Sequence, residues 1–182
     1  PDITLLDQNG NILTGQQAGE IAIRGDNVTA GYENNPEADN TAFTKGWFKT
    51  GDLGYFDESG YLFVTGRLKE IINRGGEKIS PREIDEALLD HTEVKQAVAF
   101  AMPHPTLGED LVAAVVIKEQ GKTNAQAIRR FLFEKLPGFK VPSQIIILDE
   151  IPKGSTGKLQ RIGLAEKLSE HFATLCSAAF RA

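Results

Sequence analysis

Two short apolar runs, residues 94–101 and 111–117, constrain the fold of this chain more than any other feature. Their centres do not alternate with polar residues, so each needs cover on both faces, as an inner strand has. Both fall well short of the ~20 residues that a membrane-spanning helix requires. Helical patterns flank them. Ser80-Pro81-Arg82-Glu83 reads as a capping box with proline at the first helical position. The helix it opens is predicted to reach about Asp90 and to bury Ile84, Ala87 and Leu88. Thr123 with Gln126 predicts a second box, whose helix sets Ile128, Phe131, Leu132 and Leu136 on one stripe. Pro137-Gly138 then ends that helix. Residues 144–148 read as a further strand and 162–171 as a last helix. Strands alternating with helices predict a compact α/β module.

The preceding residues have a different character. Residues 3–6 are apolar and stop at Asp7-Gln8-Asn9-Gly10, where Asn-Gly signals a hairpin. Residues 19–25 carry large aliphatics at alternate positions, as a half-buried strand does. Segments 51–56 and 61–65 flank the turn signal Asp57-Glu58-Ser59-Gly60. Four or five short strands result, with no helix large enough to cover them, so an incomplete β-rich subdomain is expected over 1–65. The small module is expected over 66–168, and a tail or linker over 169–182. The start, Pro1-Asp2-Ile3, shows no signal-peptide pattern and no initiator methionine, and reads as a cut inside a longer protein. A lone Cys176 excludes an intrachain disulfide and suggests a reduced, cytoplasmic setting. The net charge of -5 argues against nucleic acid as a partner, because neutralising phosphates needs a basic face.

Four segments hold more glycine, proline and charge than packing requires. In Thr50-Gly51-Asp52, a carboxylate beside a glycine at a strand mouth can accept hydrogen bonds from a vicinal diol; it can equally cap a turn. Between Gly66 and Ile79 lie four cations, Arg67, Lys69, Arg74 and Lys78, with Gly75-Gly76 among them. Glycines admit a ligand close to the backbone and cations suit a phosphate, although a solvated hairpin has the same composition. Leu136-Pro137-Gly138-Phe139-Lys140-Val141-Pro142 is a stiff connection, and the structural reading suffices. Pro152-Lys153-Gly154-Ser155-Thr156-Gly157-Lys158 is no P-loop, which needs four residues between its glycine and Gly-Lys. It remains a glycine loop presenting Lys158 as a point charge.

In this order the segments resemble one family. Gly19-Glu20-Ile21 with Gly31-Tyr32, Thr50-Gly51-Asp52, Gly66-Arg67-Leu68-Lys69-Glu70, and Pro152-Lys153 with Gly157-Lys158 follow one another over residues 1–168. The set resembles the adenylate-forming superfamily of acyl- and aryl-CoA synthetases, peptide-synthetase adenylation domains and luciferases. The resemblance implies an α+β chain: the β-rich end of a large domain, then a mobile AMP-binding lid. It implies a two-step ligase, in which a carboxylate attacks ATP to give an acyl adenylate and CoA thiol then displaces AMP. It implies that Asp52 and Arg67 hold the ribose hydroxyls and that Lys158 bridges carboxylate and nucleotide. Lys69 takes the hinge position, and Gly75, Gly76 and Lys78 line the tunnel for the thiol.

The family's phosphate loop, acyl pocket and magnesium-binding glutamate have no counterpart here and are expected upstream of Pro1, so Mg2+ has no ligand assigned in this chain. The chain alone is therefore expected to be inactive without the missing N-terminal domain. Its wording from Ile71 to Pro81 resembles short-to-medium-chain and dicarboxylate CoA synthetases. Loading of a carrier-protein thiol is the alternative, and a non-catalytic interaction module the alternative of another class.

Overall fold

A computed structural model describes residues 1–29, 31, 39, 41–154 and 157–171. Tyr32, Ser155, Thr156 and residues 172–182, with Cys176 and most of the expected tail, lie outside the described residues. The chain forms two compact units, Pro1–Lys69 and Glu70–Ala182. The sequence suggested a division at Gly66, which instead lies within a strand that runs to Arg67.

The first unit is an antiparallel sheet of β1 (Asp2–Leu6), β2 (Gly19–Arg24), β3 (Phe43–Thr44), β4 (Trp47–Phe56) and β5 (Leu62–Arg67). The order is β1-β2-β4-β3, with β5 also paired to β4. Leu5 and Ile21 are directly opposed and buried, while Leu6, Ala22 and Trp47 pack together. Burial of the adjacent Ile21 and Ala22 means that β2 does not follow the simple alternation expected of it. A register shift between Glu20 and Ala22 in the β2–β4 ladder accompanies this.

Asp7 accepts the backbone N–H groups of Asn9 and Asn11, both at 2.8 Å, and so organises the predicted turn. The chain then returns along β1 in a single bridge, Leu6 to Ile12, while the ladder of β1 is made with β2. Asp57 repeats the device on Ser59 and Tyr61, and here a full hairpin follows, with Phe56 opposite Leu62. Further along this hairpin the pairing shifts by one residue, between Leu53 and Gly54 on β4, and Asp52 then comes opposite Arg67.

The second unit is built around a five-stranded sheet of β6 (Ile72–Arg74), β7 (Glu77–Ile79), β8 (Val94–His104), β9 (Gly108–Ile117) and β10 (Gln144–Ile147). β9 pairs antiparallel with β8 and β6 and parallel with β10. Around it lie α1 (Pro81–Leu89), α2 (Ala125–Lys135) and α3 (Leu164–Lys167). The two apolar runs are β8 and β9, and both have covered faces. Leu111, Ala113 and Val115 join Ala97 and Ala99 in a core with Ile84, Leu88, Ile128 and Leu132. The intervening Val112, Ala114 and Val116 join Val98 and Phe100 in a second core with Ile151, Leu164 and Leu168. Only β9 is central in hydrogen bonding; β8 pairs with β9 alone among the described residues.

The first helix starts at Pro81 as expected, but its capping box does not form, and the starts of the other two are corrected. Ser80 stands at the cap of α1 but makes no side-chain cap bond, and Glu83 is engaged by Lys140 at 2.8 Å through both carboxylate oxygens. A carboxylate held by an ammonium group on another segment cannot also reach back to the cap. The cap of α2 is Asn124, whose side chain accepts from Ala127 N–H at 2.9 Å, so Thr123 and Gln126 form no box. The last helix starts at Leu164, because Gly163 before it has a φ of 80°; Ile162 lies outside and is 68% exposed.

Three substitutions check the assignment of the α2 cap and the core beneath it. Asn124→Ala should cost about 1 kcal/mol, while Thr123→Ala stays within about 0.5 kcal/mol. Leu132→Ala, at a fully buried position, should cost about 2–5 kcal/mol. Urea denaturation measures all three, and a larger loss from Thr123→Ala than from Asn124→Ala would return the cap to Thr123.

Candidate functional site

The Thr50-Gly51-Asp52 segment is strand rather than turn. Thr50 Oγ1 donates to the Ile21 carbonyl at 2.7 Å and accepts from Asp52 N–H at 3.1 Å. Gly51 has a φ of 76° and gives its N–H to Glu20 at 3.2 Å. These bonds fix the backbone on which Asp52 stands, directly across from Arg67. Arg67 Nε meets Asp52 Oδ1 at 3.0 Å. The pair is open to solvent, with Arg67 the more exposed. Among the described residues, Asp52 Oδ2 and the terminal guanidinium N–H groups have no further partner, and together they offer an acceptor and donors to a diol. Lys69 is exposed in a 3-10 turn, Leu68–Glu70, and is the last residue of the first unit.

In the second unit, β6 and β7 form a hairpin in which Arg74 pairs with Glu77 around Gly75-Gly76. Both glycines have positive φ, 60° and 98°, as a type I′ turn requires. Gly76 N–H donates to Asn73 Oδ1 at 3.1 Å and Gly75 N–H to the Leu107 carbonyl at 3.0 Å. A Cβ at Gly76 would meet nothing within 4 Å, so this glycine borders open space. Lys78 is exposed beside it, opposite Asn73.

Arg74, grouped by sequence with the phosphate-seeking cations, is committed elsewhere. Its Nε pairs with Asp110 at 2.8 Å, and its Nη1 donates to the carbonyls of Phe139 and Val141 at 2.9 and 3.1 Å. This ties down the proline-glycine connection and the start of the β6–β7 hairpin together.

Lys158 stands on a third hairpin. Lys153 and Leu159 form its bridge, Gly154 N–H donates to the Lys158 carbonyl, and Gly157 N–H to that of Gly154, both at 2.9 Å. The Lys158 side chain is exposed, with no ion pair or hydrogen bond of its own among the described residues. Asp52 and Arg67 thus stand together in the first unit, while the glycine turn and Lys158 occupy separate hairpins of the second.

Sequence reasoning missed one charged group altogether. Arg161 donates through Nε to Glu70 at 2.9 Å and through Nη1 to Asp85 at 2.7 Å. Asp85 also accepts the Ala99 N–H, on the outer edge of β8, at 2.6 Å. With Ala97, Val98 and Leu159 these three side chains line a cleft of about 150 Å³. They are separated by 76 and 91 positions along the chain, and no local motif marks their meeting. Among the described residues, no group of three or more His, Cys, Asp or Glu side chains could hold a metal ion, and no helix is long and apolar enough to cross a membrane.

Residues 83–158 match the family model of the AMP-binding enzyme C-terminal domain. A probable CoA ligase, CCL9, of Humulus lupulus is 49% identical over 95% of this chain and 33% of its own length. The oxalate–CoA ligase of Arabidopsis thaliana is 47% identical over 93% of this chain and 33% of its own. The chain therefore spans about a third of these curated relatives. Among solved structures, ATP-bound MatB from Rhodopseudomonas palustris is similar with a TM-score of 0.86 and 31% identity, over 92% of this chain and 34% of that one.

Burial pushes the Asp85 carboxyl up from 3.8 to about 6, against the pull of Arg161 and the Ala99 N–H; Glu70 adds to the rise. The folded protein thus holds a proton on Asp85 at pH values where the unfolded chain has lost it. The linked stability is complete below the unfolded value, declines as pH rises through the window between 3.8 and 6, and is absent above it. The change is about 3 kcal/mol. Asp85→Asn keeps an acceptor for Ala99 and should flatten this slope. Urea unfolding from about pH 4 to about pH 7 measures it, and a variant with the full slope would assign it to another group.

Proposed function

Because residues 83–158 match the C-terminal domain of AMP-binding enzymes, we infer that the chain serves as the lid-bearing part of an AMP-forming CoA ligase. The ligase joins a carboxylic acid to CoA in two steps. The carboxylate oxygen bonds to the α-phosphorus of ATP as pyrophosphate leaves, giving an acyl adenylate. The CoA sulfur then bonds to the acyl carbon as AMP leaves, and the thiol proton passes to solvent.

Each residue has a task set by its surroundings. The Asp52–Arg67 pair takes the ribose diol, the carboxylate accepting from its hydroxyls and the guanidinium donating. Lys158 brings a full positive charge to the point where the carboxylate approaches the phosphate. A charge placed there opposes the negative charge that builds on the phosphoryl oxygens, an effect worth roughly 3 kcal/mol or more in a water-excluded site. The reading is carried by one observation: Lys158 sits exposed on a glycine hairpin with no partner among the described residues. It is a cation held ready rather than consumed by the fold.

Lys69 is the hinge, a role supported by the division of the chain immediately after it. Turning about it presents the Lys158 hairpin for the first step and the Gly75-Gly76 turn, with Lys78, for the second. The open space beside Gly76 supports its place along the path of the thiol. Mg2+ would neutralise phosphate charge in such a reaction; no residue of this chain is assigned to it. CoA is the acceptor we favour over a carrier-protein thiol, since the relatives at 47–49% identity are CoA ligases. A cytoplasmic setting suits chemistry that consumes ATP and CoA.

Two substitutions in the full-length ligase separate the steps. Lys158→Ala should slow ATP–pyrophosphate exchange by about 10²–10³-fold and leave thioester formation from supplied acyl adenylate near normal. Equal loss in both assays would remove Lys158 from its role. Gly76→Leu should do the reverse, at a cost in stability of roughly 1–2 kcal/mol for a leucine held at positive φ. Normal thioester formation by this variant would exclude Gly76 from the thiol path.

A further inference from the structure

The hairpin that carries Lys158 is anchored unequally. Its incoming arm is held by Ile151, which is fully buried in the core with Val98, Phe100 and Leu164. Its outgoing arm has no such apolar anchor before Leu164: Leu159 is 42% exposed, Gln160 is exposed, and Ile162 points to solvent. Between them stands Arg161, whose side chain is 20% exposed and grips two carboxylates. One belongs to Asp85 on α1. The other belongs to Glu70, the residue with which the second unit begins.

We propose that Arg161 is a positioning residue, which ties the outgoing arm of the Lys158 hairpin to both α1 and the first residue beyond Lys69. The proposal rests on the functional reading above and adds to it the link between hinge and lysine. Glu70 follows the hinge directly, so a turn about Lys69 moves Glu70 first. Through Arg161 that motion reaches the Lys158 hairpin without slack, and α1 sets the angle.

Stability alone is a poor explanation for the group. Three charges drawn largely out of water lose much of their attraction to desolvation, and apolar residues of similar volume often stabilise as well or better. What the arrangement provides is direction. A lysine that must meet a reacting carboxylate loses rate steeply when it is misplaced by about 1 Å. The Gly75-Gly76 hairpin is anchored separately, through Arg74 on Asp110, Phe139 and Val141. The link therefore serves the first chemical step and leaves the second alone.

The test uses the full-length ligase with Arg161→Met and the milder Glu70→Gln. Both steps are assayed, kcat and KM are separated, and thermal unfolding is followed. Arg161→Met should lower kcat for adenylate formation at least about tenfold, with KM for ATP and acid and the rate of thioester formation little changed. Glu70→Gln should lower the same kcat to a smaller extent. Added to Lys158→Ala, Arg161→Met should cause no further loss, because it acts through that lysine. Equal losses in both steps, or a full additional loss in the Lys158→Ala background, would reduce Arg161 to a structural residue. Should Arg161→Met not fold, an unchanged kcat in Glu70→Gln overturns the proposal. If Lys158→Ala itself forms adenylate normally, the functional reading fails; if it does not while both other variants do, only the link fails.

Discussion

Everything in the second unit depends on β9 being covered on both faces and paired along both edges. Its residues from Leu111 to Val116 are all buried, and neighbours along the strand face opposite cores. A strand so enclosed has no solvent-exposed alternative, because a slip of one residue would exchange the contents of the two cores. The alanines opposed across the β8–β9 ladder, Ala99 and Ala113, and the pair Val98 and Ala114, keep that layer thin. The helices can then approach closely from either side. The parallel partner β10 is delivered by α2, while β6 arrives from the opposite direction and meets β9 only at Gly108. The glycine turn therefore projects from the sheet at one end of β9 instead of lying within it.

Much of this was legible in the residues. The apolar runs named the two strands that are covered on both faces, though only β9 is inner, the stripe of Ile128, Phe131, Leu132 and Leu136 named the buried face of α2, and Asp57-Glu58-Ser59-Gly60 named the hairpin that brings Asp52 to Arg67. Such signals are local: they depend on periodicity and on turn chemistry, both of which a short window contains. Local signals mislead where a distant group competes. Glu83 has the spacing of a capping residue, but Lys140, far along the chain, holds its carboxylate. Arg74 stands in a segment suited to phosphate, but Asp110 and two carbonyls hold its guanidinium. Arg161, Glu70 and Asp85 left no trace in any window, since their only relation is spatial. The shift from Thr123 to Asn124 was different in kind: both are good caps, and a single residue of phase separates them.

The candidate site shows two ways of using charge. Arg74 and Arg161 are consumed by the fold and hold segments in place. Arg67, Lys69, Lys78 and Lys158 stand exposed, able to meet a ligand. Glycine supports the second group, since Gly75, Gly76 and Gly157 adopt positive φ in hairpin turns and Gly51 does so within β4, beside Asp52. The half-buried Arg74 and Arg161 come from the same basic segments as the exposed cations, so composition alone does not separate scaffold from site.

The pairing defect in the β4–β5 ladder reaches further than its size suggests. Were the pairing of β4 with β5 regular across Leu53 and Gly54, continuation from Phe56 opposite Leu62 would set Asp52 against Gly66. Glycine has no side chain with which to answer a carboxylate. The partnership of Asp52 and Arg67 is therefore an outcome of counting as much as of chemistry. Sequence drift that preserves both residues but irons out that irregularity would leave each intact and the two apart.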